Sequence, residues 1–162
     1  MSRTKNALLF SAFMFLLIVA EIACAKLAWH TVGEIYSALL LFLVGLNLAP
    51  ILAYFLKWKK LAVGLALLGG LLSIPPQLFL GYRWHILRQE TLNIVAYVEK
   101  TKKQTGSYPQ NLSAYAYFRP TLKQDITYKR YKPDDYALSF HVGSPNTEHW
   151  YETGSGWYYY PD

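Results

Sequence analysis

The residues of this chain with types suited to chemistry are few and scattered. His30, His85, His141 and His149 show no metal-ligand spacing such as H-x-x-x-H. His141 and His149 bracket a single loop, and two ligands alone leave a metal site incomplete. Asp134 and Asp135 follow Pro133 in a stretch with turn composition, which accounts for the pair without calcium. Ser139 and His141 share one strand face with no third group to complete a nucleophilic set. Neither a G-x-S-x-G elbow nor a phosphate-cradling glycine loop occurs. Cys24 is the only cysteine, so no intrachain disulfide can form. The expectation is a chain without catalytic residues, cofactor or metal, not an enzyme.

One polar group stands out by its surroundings. Glu21 interrupts the apolar run Ala7 to Trp29, about a turn and a half inside its far end. An ionisable side chain within such a run is a functional candidate by default. The ordinary reading is that Glu21 reaches the interface and shares a solvated cluster with Lys26 or Glu34. Asn47, in the next apolar run, is suited to an interhelical hydrogen bond worth on the order of 1 kcal/mol.

The elements that hold these groups differ between the two halves. Residues 1–82 carry eight charged side chains and residues 83–162 carry eighteen, with net charges of +4 and +2. The basic excess sits beside apolar runs, where it serves topology better than nucleic-acid binding. Ala7 to Trp29, Ile35 to Leu56 and Leu61 to Tyr82 are each long enough for a hydrocarbon layer about 30 Å thick. For the first run a signal peptide competes: Arg3 and Lys5 form its n-region and Ala23-Cys24-Ala25 its cleavage site. Resumption of apolar character at Leu27-Ala28-Trp29 favours a retained span.

Arg3, Lys5 and the cluster Lys57, Lys59 and Lys60 place the N-terminus and the second connection in the cytoplasm. Three crossings then put Arg83 onward outside the inner membrane of a bacterium. Trp29, Tyr36, Phe79, Tyr82 and Trp84 fall at the outer interface, and Tyr54 and Trp58 at the inner one. Gly64, Gly69 and Gly70 permit close helix contact. Pro75 and Pro76 should kink the third span, which restarts near Pro76 and runs on into Arg83 to Lys103. There Trp84, Leu87, Thr91, Ile94 and Val98 recur at helical spacing, leaving Arg83, Arg88, Glu90, Glu99, Lys100 and Lys103 to the wet face or its edges.

The remaining residues predict a helical turn from Pro109 through Tyr117, then strands at Ile126 to Tyr131 and Tyr136 to Val142. A hairpin follows, Trp150 to Thr153 and Trp157 to Tyr160, around Gly154-Ser155-Gly156. The expected architecture is membrane α+β. Residues 1–82 form three transmembrane helices. Residues 83–162 form an amphipathic helix packed on an antiparallel sheet of about four strands.

Gly106, Tyr108, Pro109 and Leu112, in a Gly-x-Tyr-Pro-x-x-Leu turn after a helix ending Tyr97-Val98-Glu99-Lys100, resemble type IV pilins and type II secretion pseudopilins. The Asp135-to-Phe140 strand and the aromatic C-terminal hairpin are similar to that family as well. The resemblance covers about half of the chain and implies a pilin-like fold for the outer domain. Pilins carry one span after a leader ending in glycine. Two additional spans precede this helix, so filament subunit activity does not carry over.

Aromatic density marks the candidate interaction residues: Trp150, Tyr151, Trp157, Tyr158, Tyr159 and Tyr160. Alternation in Trp157 to Tyr160 puts two rings on each sheet face, so one pair should remain outside the core for a partner or lipid headgroups. These features point to a non-enzymatic inner-membrane protein. Its periplasmic domain would dock on another envelope protein, as an accessory or assembly subunit, with membrane lipid the other contact and nucleic acid none. An envelope sensor binding a small ligand, an immunity protein against a membrane-acting toxin, and a membrane-bound activity using Glu21 or the histidines are the rivals.

Overall fold

The computed structural model describes residues 3–32, 36–143 and 147–161, with the side chains of Arg3, Val32, Tyr36, Tyr160 and Pro161 also outside the description. Three helices come first: α1 (Arg3–Val32), α2 (Tyr36–Phe55) and α3 (Lys59–Thr105). A short 3-10 helix (Pro120–Asp125) leads into strands β1 (Ile126–Lys132), β2 (Asp135–His141), β3 (Thr147–Glu152) and β4 (Gly156–Pro161). The chain divides into a helical unit, Met1–Trp29 with Glu34–Gly81, and a mixed unit, His30–Gly33 with Tyr82–Asp162.

The three helices are long and apolar enough to cross a membrane by length and composition. Within the helical unit the polarity is inverted relative to a water-soluble bundle. Leu41, Leu71 and Phe55 are among its most exposed side chains, whereas Glu21, Asn47, Ser73 and Gln77 are buried. In lipid, helix association depends on close packing and polar contacts, so small and polar residues collect between the helices. The inward stripe of α3 follows that rule: Ala62, Ala66, Gly69, Gly70, Ser73 and Gln77.

Gly69 faces Leu46 of α2 and Gly70 faces Leu17 of α1, but Gly64 has open space around it. Gly81 lies against the backbone of Leu27, where an added Cβ would come within 3.2 Å of the carbonyl oxygen. Helical conformation continues through Pro75 and Pro76, with no break and restart. The two prolines still remove the donors for the carbonyls of Leu71 and Leu72. Pro50, inside α2 and fully buried, does the same for Leu46.

In the mixed unit the inward stripe of α3 keeps its spacing and changes its residues, to Leu87, Thr91, Ile94 and Val98. Large apolar side chains replace small ones because here burial itself is the driving force. The four strands form an antiparallel meander in the order β1-β2-β3-β4. Tyr136, Leu138 and Phe140 alternate inward along β2 and are almost fully buried. Residues flanking the stripe tie α3 to the sheet: Tyr136 donates to Glu99 at 3.4 Å, and the Arg88 guanidinium lies 6.0 Å from the Trp157 ring centroid.

Two expectations are corrected here. Residues 109–118 are irregular around a turn at Ser113 and Ala114, and helical conformation between α3 and β1 is confined, among the described residues, to Pro120–Asp125. Asn111 Oδ1 accepts from the Ser113 amide at 3.0 Å, a local bond that competes with helix. Glu90 Oε1 takes the Phe118 amide and Oε2 the Arg119 amide, at 3.0 and 3.3 Å. Glu90 is therefore not on the wet face; it is 2% exposed, turned toward that loop.

Gly106, Tyr108, Pro109 and Leu112 organise the end of α3. Gly106 has φ +82° and donates its N–H to Lys102 O at 2.8 Å, closing the helix in the left-handed conformation that glycine adopts without strain. Tyr108 is buried, its amide donating to Pro133 O at 2.8 Å and its carbonyl accepting from Arg130 at 2.6 Å. Pro109 O accepts from the Tyr128 hydroxyl at 2.7 Å, and Leu112 is buried.

Candidate functional site

In the helical unit, Glu21 is the centre of a polar cluster drawn from all three helices. α1 supplies Glu21, α2 supplies Asn47, and α3 supplies Ser73 and Gln77. Asn47 Nδ2 donates to Glu21 Oε2 and also to Leu43 O at 2.9 Å. Ser73 Oγ donates to Glu21 Oε1 at 2.8 Å. Gln77 Nε2 donates to Ser73 O at 2.9 Å, while its Oε1 is buried with no partner among the described residues. Glu21 itself is 2% exposed.

A solvated cluster with Lys26 is thus not what surrounds Glu21, since Lys26 is exposed; Glu34 lies outside the described residues. Sequence reasoning found Glu21 and Asn47 and missed Ser73 and Gln77. Their signal was the period of the small-residue stripe, in which Ser73 follows Gly69 and Gly70 by one turn. A groove of about 430 Å³ between α1 and α2 is lined by Glu21 and Asn47 together with Ile18, Ile22, Leu43 and Val44.

In the mixed unit the candidate aromatic residues divide between the two sheet faces. Tyr151, pairing with Leu138 and Trp157, points inward; its ring lies 5.7 Å from Tyr136 and 5.4 Å from Trp157. Trp157 also meets Phe140 at 6.1 Å, and Tyr159 meets His149 at 4.8 Å. Trp150 and Tyr158 are cross-strand partners on the outer face, stacked at 5.4 Å and 21°. Tyr160 pairs with Glu148 in the same outward register, and its side chain lies outside the described residues. Tyr131 adds a ring 56% exposed, with Lys129 Nζ 5.1 Å from its centroid. Lys129, Tyr131, Ser139, Glu148, Trp150 and Glu152 border a shallow concavity of about 280 Å³ on this face.

The histidines are not arranged as metal ligands. Among the described residues no group of three His, Cys, Asp or Glu side chains converges. His85 is exposed, and His141 Nδ1 lies 3.3 Å from Thr147 O. His149 is buried between Phe140, stacked at 4.8 Å, and Tyr159. Its Nε2–H donates to His30 O at 2.7 Å, one of the last carbonyls of α1, which has no partner within its own helix. Burial pulls the His149 imidazole down to about 4, opposed by that backbone bond and aided by His30, Arg88 and His141.

The unfolded imidazole, at an ordinary 6.5, therefore binds a proton that the folded one refuses. Stability of the mixed unit is expected to be level above pH 6.5 with respect to this group and to fall as pH drops toward 4. Urea midpoints read across that window should decline less in His149→Phe than in wild type. Equal declines in the two proteins would remove His149 from the account.

No protein-family model matches this chain, and comparison with curated proteins and with solved structures yields no significant match.

Proposed function

We propose that this chain is a non-enzymatic inner-membrane protein whose mixed unit docks on another envelope protein, as an accessory or assembly subunit. In this reading the N-terminus and the Lys57–Lys60 connection are cytoplasmic and the mixed unit is periplasmic, following the positive-inside distribution of lysine and arginine. The mixed unit is pilin-like, with α3 laid on the sheet and the Gly106-to-Leu112 turn joining them. α3 bends where Pro75 and Pro76 leave two carbonyls without donors.

The observation that carries the proposal is the outer sheet face. Trp150 and Tyr158 stack there, away from the packed face, and Tyr131 stands exposed beside Lys129. Aromatic rings rimmed by charges are the composition of protein interfaces. The concavity between them, about 280 Å³, falls at the floor of the volumes that hold small ligands, which favours a protein surface over a metabolite.

A photoreactive phenylalanine analogue at Tyr158, irradiated in intact cells, tests this. The expected result is a discrete adduct with a protein exposed on the outer side of the inner membrane. No such adduct should form from the same group at Lys100, on the exposed side of α3. Absence of any adduct at Tyr158, together with recovery of the tagged chain only as a lone monomer, would overturn the reading.

A further inference from the structure

Among the described residues Glu21 has two hydrogen-bond partners, Asn47 and Ser73. Asn47 Nδ2 is fixed as a donor: it serves both Glu21 Oε2 and Leu43 O, and a flipped amide would set Oδ1 against two acceptors. Oε2 is therefore always an acceptor. Oε1 faces a hydroxyl, the one kind of side-chain group that can either donate or accept by rotating. Ser73 Oγ lies 2.8 Å from Oε1 and 3.5 Å from Gly70 O, so its single proton has two acceptors within reach.

From this geometry we propose that Glu21 is a reversible proton-binding site inside the helical unit, with Ser73 as its switching partner. As a carboxylate, Glu21 accepts from Asn47 at Oε2 and from Ser73 at Oε1. On taking one proton from water, Oε1 becomes the donor and Ser73 Oγ the acceptor. The serine proton then turns to Gly70 O, and the charge of the site goes from −1 to 0. No heavy-atom partner changes, and every donor has an acceptor in both states. A clamp that only held three helices together would need one satisfied state.

A further feature agrees. Among the described residues no counter-charge is bonded to Glu21: α2 and α3 present Asn47 and Ser73, both neutral, and Cys24, a turn along α1, is a titratable neighbour. An unpaired carboxylate in such surroundings is costly, and a ready neutral form removes the cost. The proposal does not depend on the docking face of the mixed unit.

The test uses the full chain in phosphatidylcholine vesicles. Dicyclohexylcarbodiimide, a lipid-soluble reagent that adds to protonated carboxyl groups, can approach through the apolar groove that Glu21 lines. Peptide mass spectrometry should find Glu21 modified, the rate falling by about tenfold per pH unit once the carboxylate predominates. In parallel, infrared difference spectra between acid and alkaline samples should contain a hydrogen-bonded carboxylic C=O band, absent in Glu21→Gln and shifted in Ser73→Ala. The labelling measurement needs only the wild-type chain, so it stands even if a variant does not fold. Modification that does not vary with pH overturns the proposal, as do identical infrared spectra for wild type and Glu21→Gln.

Discussion

Tyr136→Ala is expected to cost the mixed unit about 4 kcal/mol, the size of a large ring deleted from a core that cannot collapse around the gap. Tyr136 is fully buried near the start of β2, with Tyr108 at 4.6 Å, Tyr128 at 5.6 Å and Tyr151 at 5.7 Å between ring centroids. Its removal takes a wall from three other rings at once. The backbone around it is held independently, by Thr153 Oγ1, which accepts from the Tyr136 amide and donates to its carbonyl, each at 3.1 Å. The cavity should therefore stay open instead of closing by strand movement.

Tyr136→Phe separates the ring from its hydroxyl. The bond to Glu99 Oε1 is long at 3.4 Å, so losing it should cost less than about 1 kcal/mol. Glu99 keeps the better donor, the Tyr108 hydroxyl at 3.0 Å; burial, with that bond second, raises the Tyr108 phenol to about 12. Urea titration of the detergent-solubilised full chain, read by pulse proteolysis with cuts mapped to residues 83–162, gives both numbers. Similar losses in the two variants would mean that the hydroxyl, and not the ring, holds the sheet to the helix.

What the sequence made legible follows from which forces are periodic. The apolar runs, the alternation Tyr136-Leu138-Phe140 and the glycines of the last hairpin are local patterns, and each becomes the helix or strand its period implies. The stripe on α3 was visible only above Trp84, because large apolar residues mark it there. Below Gly81 the same stripe is written in Ala, Gly, Ser and Gln, which hydrophobic periodicity does not register. Ser73 and Gln77 were missed for that reason.

Register decides which of the aromatic rings face the core. Tyr151, Trp157 and Tyr159 are inward because strand register, fixed by turn position, assigns them to the face of Leu138 and Phe140. Glu90 was hidden in a different way. Next to Thr91 at the edge of the stripe, its charge argued for water, and its partners lie more than 20 residues away in a loop with no periodicity at all.

That loop supplies the second large effect: Glu90→Ala should destabilise the mixed unit by about 3 kcal/mol, since one carboxyl group satisfies three donors. Oε1 accepts from the Tyr115 hydroxyl at 2.9 Å and the Phe118 amide at 3.0 Å, and Oε2 from the Arg119 amide at 3.3 Å. Burial and the bond to Glu90 push the Tyr115 phenol up, the direction expected where the hydroxyl is kept as a donor. Alanine leaves all three without a partner.

Glu90→Gln distinguishes the individual bonds. Its Oε1 can retain Tyr115 and Phe118, but the amide nitrogen then meets the Arg119 N–H, donor against donor. The cost should fall to about 1 kcal/mol, with the damage confined to one amide. Hydrogen exchange on the full chain resolves this: Phe118 and Arg119 amides both lose protection in Glu90→Ala, and Arg119 alone does in Glu90→Gln. If Phe118, whose side chain is 80% exposed, keeps its amide protection in Glu90→Ala, then the loop is held by something other than this carboxyl group and the assignment fails.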